Sequence, residues 1–286
     1  MIVGVRMSRQ FSATLLLDRP WSLNVDAIAA AMRTLYPSIG EVEALPDQFD
    51  EEERGAIAVE GATVILKTID APLGESDLNA PLKTLRAGGV EDAAASHRAC
   101  LVVSASGDLP GLEGGEAYAA VVHFVAAAAL SVTPARAVFW KTGWALTRAE
   151  TFATAANMLL KGKMPVGTWI SFATIVPSGM QPESGLGMVT YGLKPFVGRE
   201  LELAPRPGDA RMAFEIVSSV CRTLLNRGKQ LSDGMVLKTE DQQVRLTVRE
   251  RRYWLRRDLS AFVLIADDSV IDTKNLQQRN ESYLLS

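Results

Sequence analysis

Residues 188–203 read MVTYGLKPFVGRELEL. Met188, Val189, Thr190 and Tyr191 are β-formers. Gly192, Pro195 and Gly198 follow within seven residues. Glycine permits positive φ and proline fixes φ, so the middle of the stretch predicts a turn. Glu200-Leu201-Glu202-Leu203 then alternates charged and apolar, the period of a half-buried strand. The stretch therefore predicts strand, turn and strand. Alternation places Glu200 and Glu202 on one face and Leu201 and Leu203 on the other. Such a pair of carboxylates suits a cation or substrate contact. A solvated strand face, the usual place for glutamate, suits it better.

Downstream, Asp209 is positioned to cap a helix over 210–225, with Phe214, Val217, Val220 and Cys221 as its apolar stripe. Residues 234–239 and 243–249 read as a hairpin, and 261–266 as a last strand. The tail from Lys274 is polar. Upstream, residues 167–176 read as a strand containing Trp169 and Phe172. Thr147 and Glu150 make a capping-box pattern for a helix that Gly162 ends. Residues 137–141 read as a short strand, and Glu116 to about Val132 as an alanine-rich helix.

The first part of the chain predicts a strand at 11–17 and a helix from Val25 to about Tyr36 capped by Asn24. The helix stripe is Val25, Ile28, Met32 and Leu35. Strands follow at 56–60 and 62–69, joined through Gly61, then helical segments near 78–85 and 93–97 and a strand at 99–104. That order matches a ferredoxin-like unit. Gly107–Gly115, GDLPGLEGG, has linker composition. The expected architecture is α+β, with antiparallel-rich sheets and helices on one face. It comprises a unit at 8–106, a linker at 107–115, a unit at 116–266 and a polar tail at 274–286.

The chain has 286 residues, 48% of them apolar, and a net charge of −3. The charge gives no global reason to expect nucleic-acid binding. Cys100 and Cys221 each sit in an apolar run and read as buried thiols. The N-terminus lacks the pattern of a signal peptide. The longest apolar run, Ala117–Val132, is short for a membrane span and carries His123. The expectation is a soluble, cytoplasmic protein.

Recognisable catalytic patterns do not emerge. His97 and His123 are the only histidines, and with the two cysteines they lack zinc-ligand spacing. Val103-Ser104-Ala105-Ser106-Gly107 lacks the first glycine of a nucleophile elbow. Gly185-Leu186-Gly187 precedes a strand, whereas a dinucleotide loop follows one. No catalytic residue, metal or cofactor is assigned. Asp70 and Asp77 flank Pro72 but are too isolated for an acid/base pair. Arg245, Arg249, Arg251, Arg252, Arg256 and Arg257 cluster around Tyr253 and Trp254. Arginine with aromatics is the composition of an interface hot spot or a nucleic-acid patch, and also of a solvated strand and turn. The acidic run at 47–53 could pair with it.

At Thr190-Tyr191-Gly192-Leu193, Phe196-Val197-Gly198, Glu200-Leu201-Glu202 and Ser232-Asp233-Gly234 the chain resembles the bacterial domain of unknown function 4261 family, over about residues 188–240. Phe196-Val197-Gly198 departs from the family pattern by one inserted residue. The resemblance implies a bacterial, soluble α+β protein and supplies no reaction. The leading expectation is a non-enzymatic protein-binding module of immunity or adaptor type, secretion-linked. It would engage a protein partner, with no membrane and no nucleic acid. The candidate binding residues are Tyr191, Glu200, Glu202, Arg249, Arg251, Arg252 and Trp254. The alternative is an enzyme with a pocket near Tyr191, Glu200, Glu202 and His97.

Overall fold

A computed structural model describes residues 11–45, 53–79, 89–105, 115–176, 185–227, 231–238, 245–252 and 260–266. The fold is α+β and the chain divides into compact units 1–171 and 172–286.

The first unit is built on a seven-stranded sheet of order β2-β3-β4-β5-β1-β6-β7. Its strands are β1 (Phe11–Leu17), β2 (Val42–Leu45), β3 (Arg54–Val59), β4 (Ala62–Ile69), β5 (Ala99–Ala105), β6 (Ala135–Trp140) and β7 (Ala145–Arg148). Every neighbouring pair is antiparallel. The β3–β4 hairpin turns on Glu60 and Gly61, at φ 50 and 79. Two positive φ values match the twist of the strands. The helices are α1 (Val25–Leu35), α2 (Glu75–Asn79), α3 (Glu91–Ser96), α4 (Gly115–Leu130), α5 (Ala149–Leu160) and α6 (Val166–Trp169). Asn24 Oδ1 accepts from the Ala27 amide at 2.8 Å, so the expected cap of α1 is formed. Helix α4 is apolar around most of its circumference and is correspondingly buried.

All seven residues of β1 are buried, because β1 lies mid-sheet with both faces covered. Phe11 and Trp140 pack with His123 of α4 and Phe152 of α5 on one face. Leu16, Cys100, Ala137 and Phe139 pack with Leu78 of α2 and Ala93 and Ala94 of α3 on the other. Helices therefore cover both faces of this sheet, not one.

Several sequence expectations are corrected here. A ferredoxin-like unit is a split βαβ, in which the first strand is parallel to and paired with a strand of the central hairpin. Here β5 lies antiparallel between β1 and β4. The first unit does not end at 106, because β6 pairs with β1 and β7 with β6. The expected linker lies outside the described residues except for Gly115, which begins α4. Thr147 lies in β7, and α5 begins without a side-chain cap. Residues 166–169 form helix α6 rather than the start of a strand. Leu35 is 46% exposed, and Ala29 takes its place in the buried stripe of α1.

The second unit carries a six-stranded sheet of order β11-β12-β13-β10-β9-β8. Its strands are β8 (Ser171–Ile175), β9 (Leu186–Tyr191), β10 (Glu200–Arg206), β11 (Val236–Lys238), β12 (Arg245–Arg252) and β13 (Ser260–Ala266). Helix α7 (Lys194–Val197) lies in the β9–β10 connection, and α8 (Ala210–Arg227) follows β10. The Met212 amide donates to Asp209 Oδ1 at 2.8 Å, forming the expected cap of α8. Strand β10 pairs antiparallel with β9 and parallel with β13. Both of its edges are paired and all seven of its residues are buried. Gly187 marks a close approach, since a Cβ there would lie 2.6 Å from the Leu203 carbonyl oxygen. The expected tail at 274–286 and the turn of the expected hairpin, 239–244, lie outside the described residues.

Candidate functional site

Glu200 and Glu202 do not form a solvated face: they are 7% and 4% exposed. Both alternating sets of β10 side chains are buried, so the charged–apolar alternation does not mark solvent. Glu200 Oε1 accepts from the amides of Gly192 at 2.9 Å and Lys194 at 3.1 Å. Its Oε2 accepts from the Leu193 amide at 3.1 Å and from the Thr190 hydroxyl at 2.7 Å. Thr190 Oγ1 in turn accepts from the Leu201 amide at 2.8 Å. Three successive amides converge on one carboxylate, an anion nest supplied from within the chain. Gly192, at φ 97, makes the turn that aims them. Burial pushes the Glu200 carboxyl above its ordinary range, and the hydrogen bonds from Thr190, Lys194, Gly192 and Leu193 pull it back. The group is a brace for the β9–β10 connection.

Tyr191 is half-buried and packs against Ile175, Val189 and Ala261. The Arg199 guanidinium stands over the Phe262 ring, 5.1 Å from its centroid. Arg249, Arg251 and Arg252 lie on β12, paired in register with Val263, Ala261 and Ser260. Trp254 lies outside the described residues.

His97 belongs to the first unit and is tied to backbone at both nitrogens. The Leu73 amide donates to Nε2 at 2.7 Å, which leaves Nδ1–H to donate to the Ala94 carbonyl at 2.7 Å. His123 is locked in the same way. Trp169 Nε1–H donates to its Nδ1 at 3.1 Å, and its Nε2–H donates to the Phe152 carbonyl at 3.0 Å. Its ring stacks on Phe152 at 3.9 Å, and burial pushes its pKa down to about 3. Burial also pushes the Cys100 thiol up to about 11, with a backbone hydrogen bond at Leu73 opposing it. Cys221 is raised as well, by burial first and by the Glu200 charge second. Among the described residues no group of three or more His, Cys, Asp and Glu could hold a metal ion. Among them also, no helix is long and apolar enough to cross a membrane.

An open cleft of about 480 Å³ lies at one end of the first sheet. The C-terminal ends of β1 and β4, the start of β5 and the loop leading into α1 form it. Trp21, Ser22, Glu53, Thr68, Asp70 and Cys100 supply its chemistry. Trp21 is half-buried, and Ile69 at the cleft is 39% exposed. The Thr68 amide donates to the Glu53 carbonyl at 2.9 Å, which fixes the edge of the cleft to β4. The sequence shows Asp70 as an isolated carboxylate. Glu53 and Trp21 come from separate segments, and only the sheet order gathers them. The signal in the sequence is a tryptophan between Pro20 and the Asn24 cap.

No family model matches the chain, and no curated protein matches it. Among solved structures, a SUFU (suppressor of fused protein) homologue from Neisseria gonorrhoeae is similar at a TM-score of 0.28 and 11% identity. The match covers 41% of this chain and 72% of that one. Overlap at that level carries no argument about function.

Proposed function

We propose that the protein is a non-enzymatic protein-binding module of adaptor or immunity type, secretion-linked, whose partner seats in the cleft beside Trp21. The observation that carries this reading is the cleft itself, lined by a half-buried tryptophan and an exposed isoleucine at one end of the first sheet. Aromatic side chains with one face in solvent are favoured partner anchors. The side chains best suited to chemistry point the same way. Both histidines have both ring nitrogens engaged by other groups of the protein, both thiols are buried, and the Glu200 carboxylate is filled by its own chain. Arg249, Arg251, Arg252 and Trp254 enter the reading as further partner contacts, on residue type. Residues 188–240 enter the reading as a module like that of the domain of unknown function 4261 family, on the residues that carry the resemblance.

The test is affinity capture with the tagged full chain from lysate of its native cells, run in parallel with Trp21→Ala and with the triple change of Arg249, Arg251 and Arg252 to Ala. A stoichiometric partner that is lost with Trp21→Ala supports the reading. A partner retained equally by all three proteins, or no partner after chemical cross-linking, overturns it.

A further inference from the structure

We infer that the cleft recognises an organic cation, the guanidinium or ammonium group of an arginine or lysine side chain presented by the partner. This rests on the protein-binding reading and names its chemistry. Among the described residues, those lining the cleft include the acidic Glu53 and Asp70 and the hydroxyl-bearing Ser22 and Thr68, and no lysine or arginine. Arg19, Arg54, Lys67 and Arg98, each adjacent in sequence to a lining residue, do not line it. Low-dielectric walls around charges of one sign focus the field into the opening. Leu17, Ala99 and Cys100 supply such walls and are buried. Trp21 supplies the indole, the aromatic group that binds cations best.

The lining thus combines a negative field, an aromatic surface and hydroxyl acceptors. That is a receptor for a flat or tetrahedral cation on an apolar stem. A guanidinium satisfies it most fully, because its planar fork stacks on an aromatic face while donating to carboxylates in its plane. The volume is within the range of about 300–1,000 Å³ usual for sites that take small ligands. A projecting side chain with its flanking backbone can therefore enter.

The experiment titrates the intact chain with three fluorescent-tagged probes: a short neutral peptide with one central arginine, the same peptide with glutamate there, and agmatine. The proteins are wild type, Asp70→Asn, Glu53→Gln and Ile69→Ser, each checked for native thermal unfolding. The arginine peptide is expected to bind, and the glutamate peptide not to. Asp70→Asn and Glu53→Gln should each weaken the arginine peptide about three- to tenfold, the scale of a partly exposed ion pair or cation–π contact. Raising the salt should weaken it further. Equal binding of arginine and glutamate peptides, or indifference to both charge changes, overturns the cation assignment. Agmatine binding as tightly as the peptide assigns the cleft to a free amine and overturns the partner side chain. If the captured partner is lost with Ile69→Ser but kept with Asp70→Asn and Glu53→Gln, the module reading stands and the cation reading fails. If neither these three changes nor Trp21→Ala affects capture, both fail.

Discussion

Replacing Glu200 by Gln should destabilise the second unit by about 3 kcal/mol. The carboxylate serves four donors at 2.7–3.1 Å, two on each oxygen. The amide keeps one carbonyl oxygen and turns an NH₂ towards the other two donors. Each buried donor left unpaired costs roughly 1–3 kcal/mol, so the gross loss is roughly 2–6 kcal/mol. Part of it is offset, because Gln no longer carries a buried charge. The pH dependence has a definite sign. Burial raises the folded-state carboxyl above its unfolded value of about 4.3, so ionising it costs the folded protein stability as pH rises from there through the folded value, against the return from the four donors. Gln does not titrate. The gap between wild type and variant should therefore narrow as pH rises across that window. The assay is urea unfolding at several pH values, combined with hydrogen exchange of a peptide spanning 188–203. Exchange at the amides of 192–194 should accelerate. A change below about 0.5 kcal/mol with unaltered exchange would falsify the idea that this carboxylate braces the turn.

Three further changes test other parts of the structure. His123→Phe should remove an acid sensitivity of the first unit. A histidine depressed from 6.5 to about 3 contributes stability above pH 6.5 that drains away as pH falls through 3, on the order of 4 kcal/mol; equal acid unfolding profiles in both proteins would count against this. Gly187→Ala should cost about 1–3 kcal/mol, since its Cβ would sit 2.6 Å from the Leu203 carbonyl oxygen and push β9 from β10; an unchanged urea midpoint would refute it. Asn24→Ala should cost about 1 kcal/mol by freeing the Ala27 amide, read as a lowered thermal midpoint, with Asn24→Asp close to wild type.

What was legible in the sequence was local. The caps Asn24 and Asp209, the Gly61 hairpin and the apolar strand at 11–17 each follow from short-range chemistry, and each is formed. What was not legible depends on partners distant in sequence. Nothing near Thr147 shows that its strand joins β6, so its capping pattern with Glu150 was misleading. Nothing in GDLPGLEGG reveals that the helix after it covers the strand at 11–17. Glu200 and Glu202 follow the pattern of an exposed face because alternation reports solvent only when one face of a strand is open. In β10 neither face is. The cleft was hidden for the same reason: Trp21, Glu53, Asp70 and Cys100 are neighbours only through the sheet order.

The central position of β1 sets a problem of timing during synthesis. This apolar strand is made well before its neighbours β5 and β6, which begin at Ala99 and Ala135. At roughly 5–20 residues per second, it waits several seconds for its first neighbour and longer for its second. For that interval Phe11–Leu17 is a sticky segment with both hydrogen-bonding edges bare, on a chain still attached to the ribosome. Slower translation through residues 18–140 lengthens that exposure.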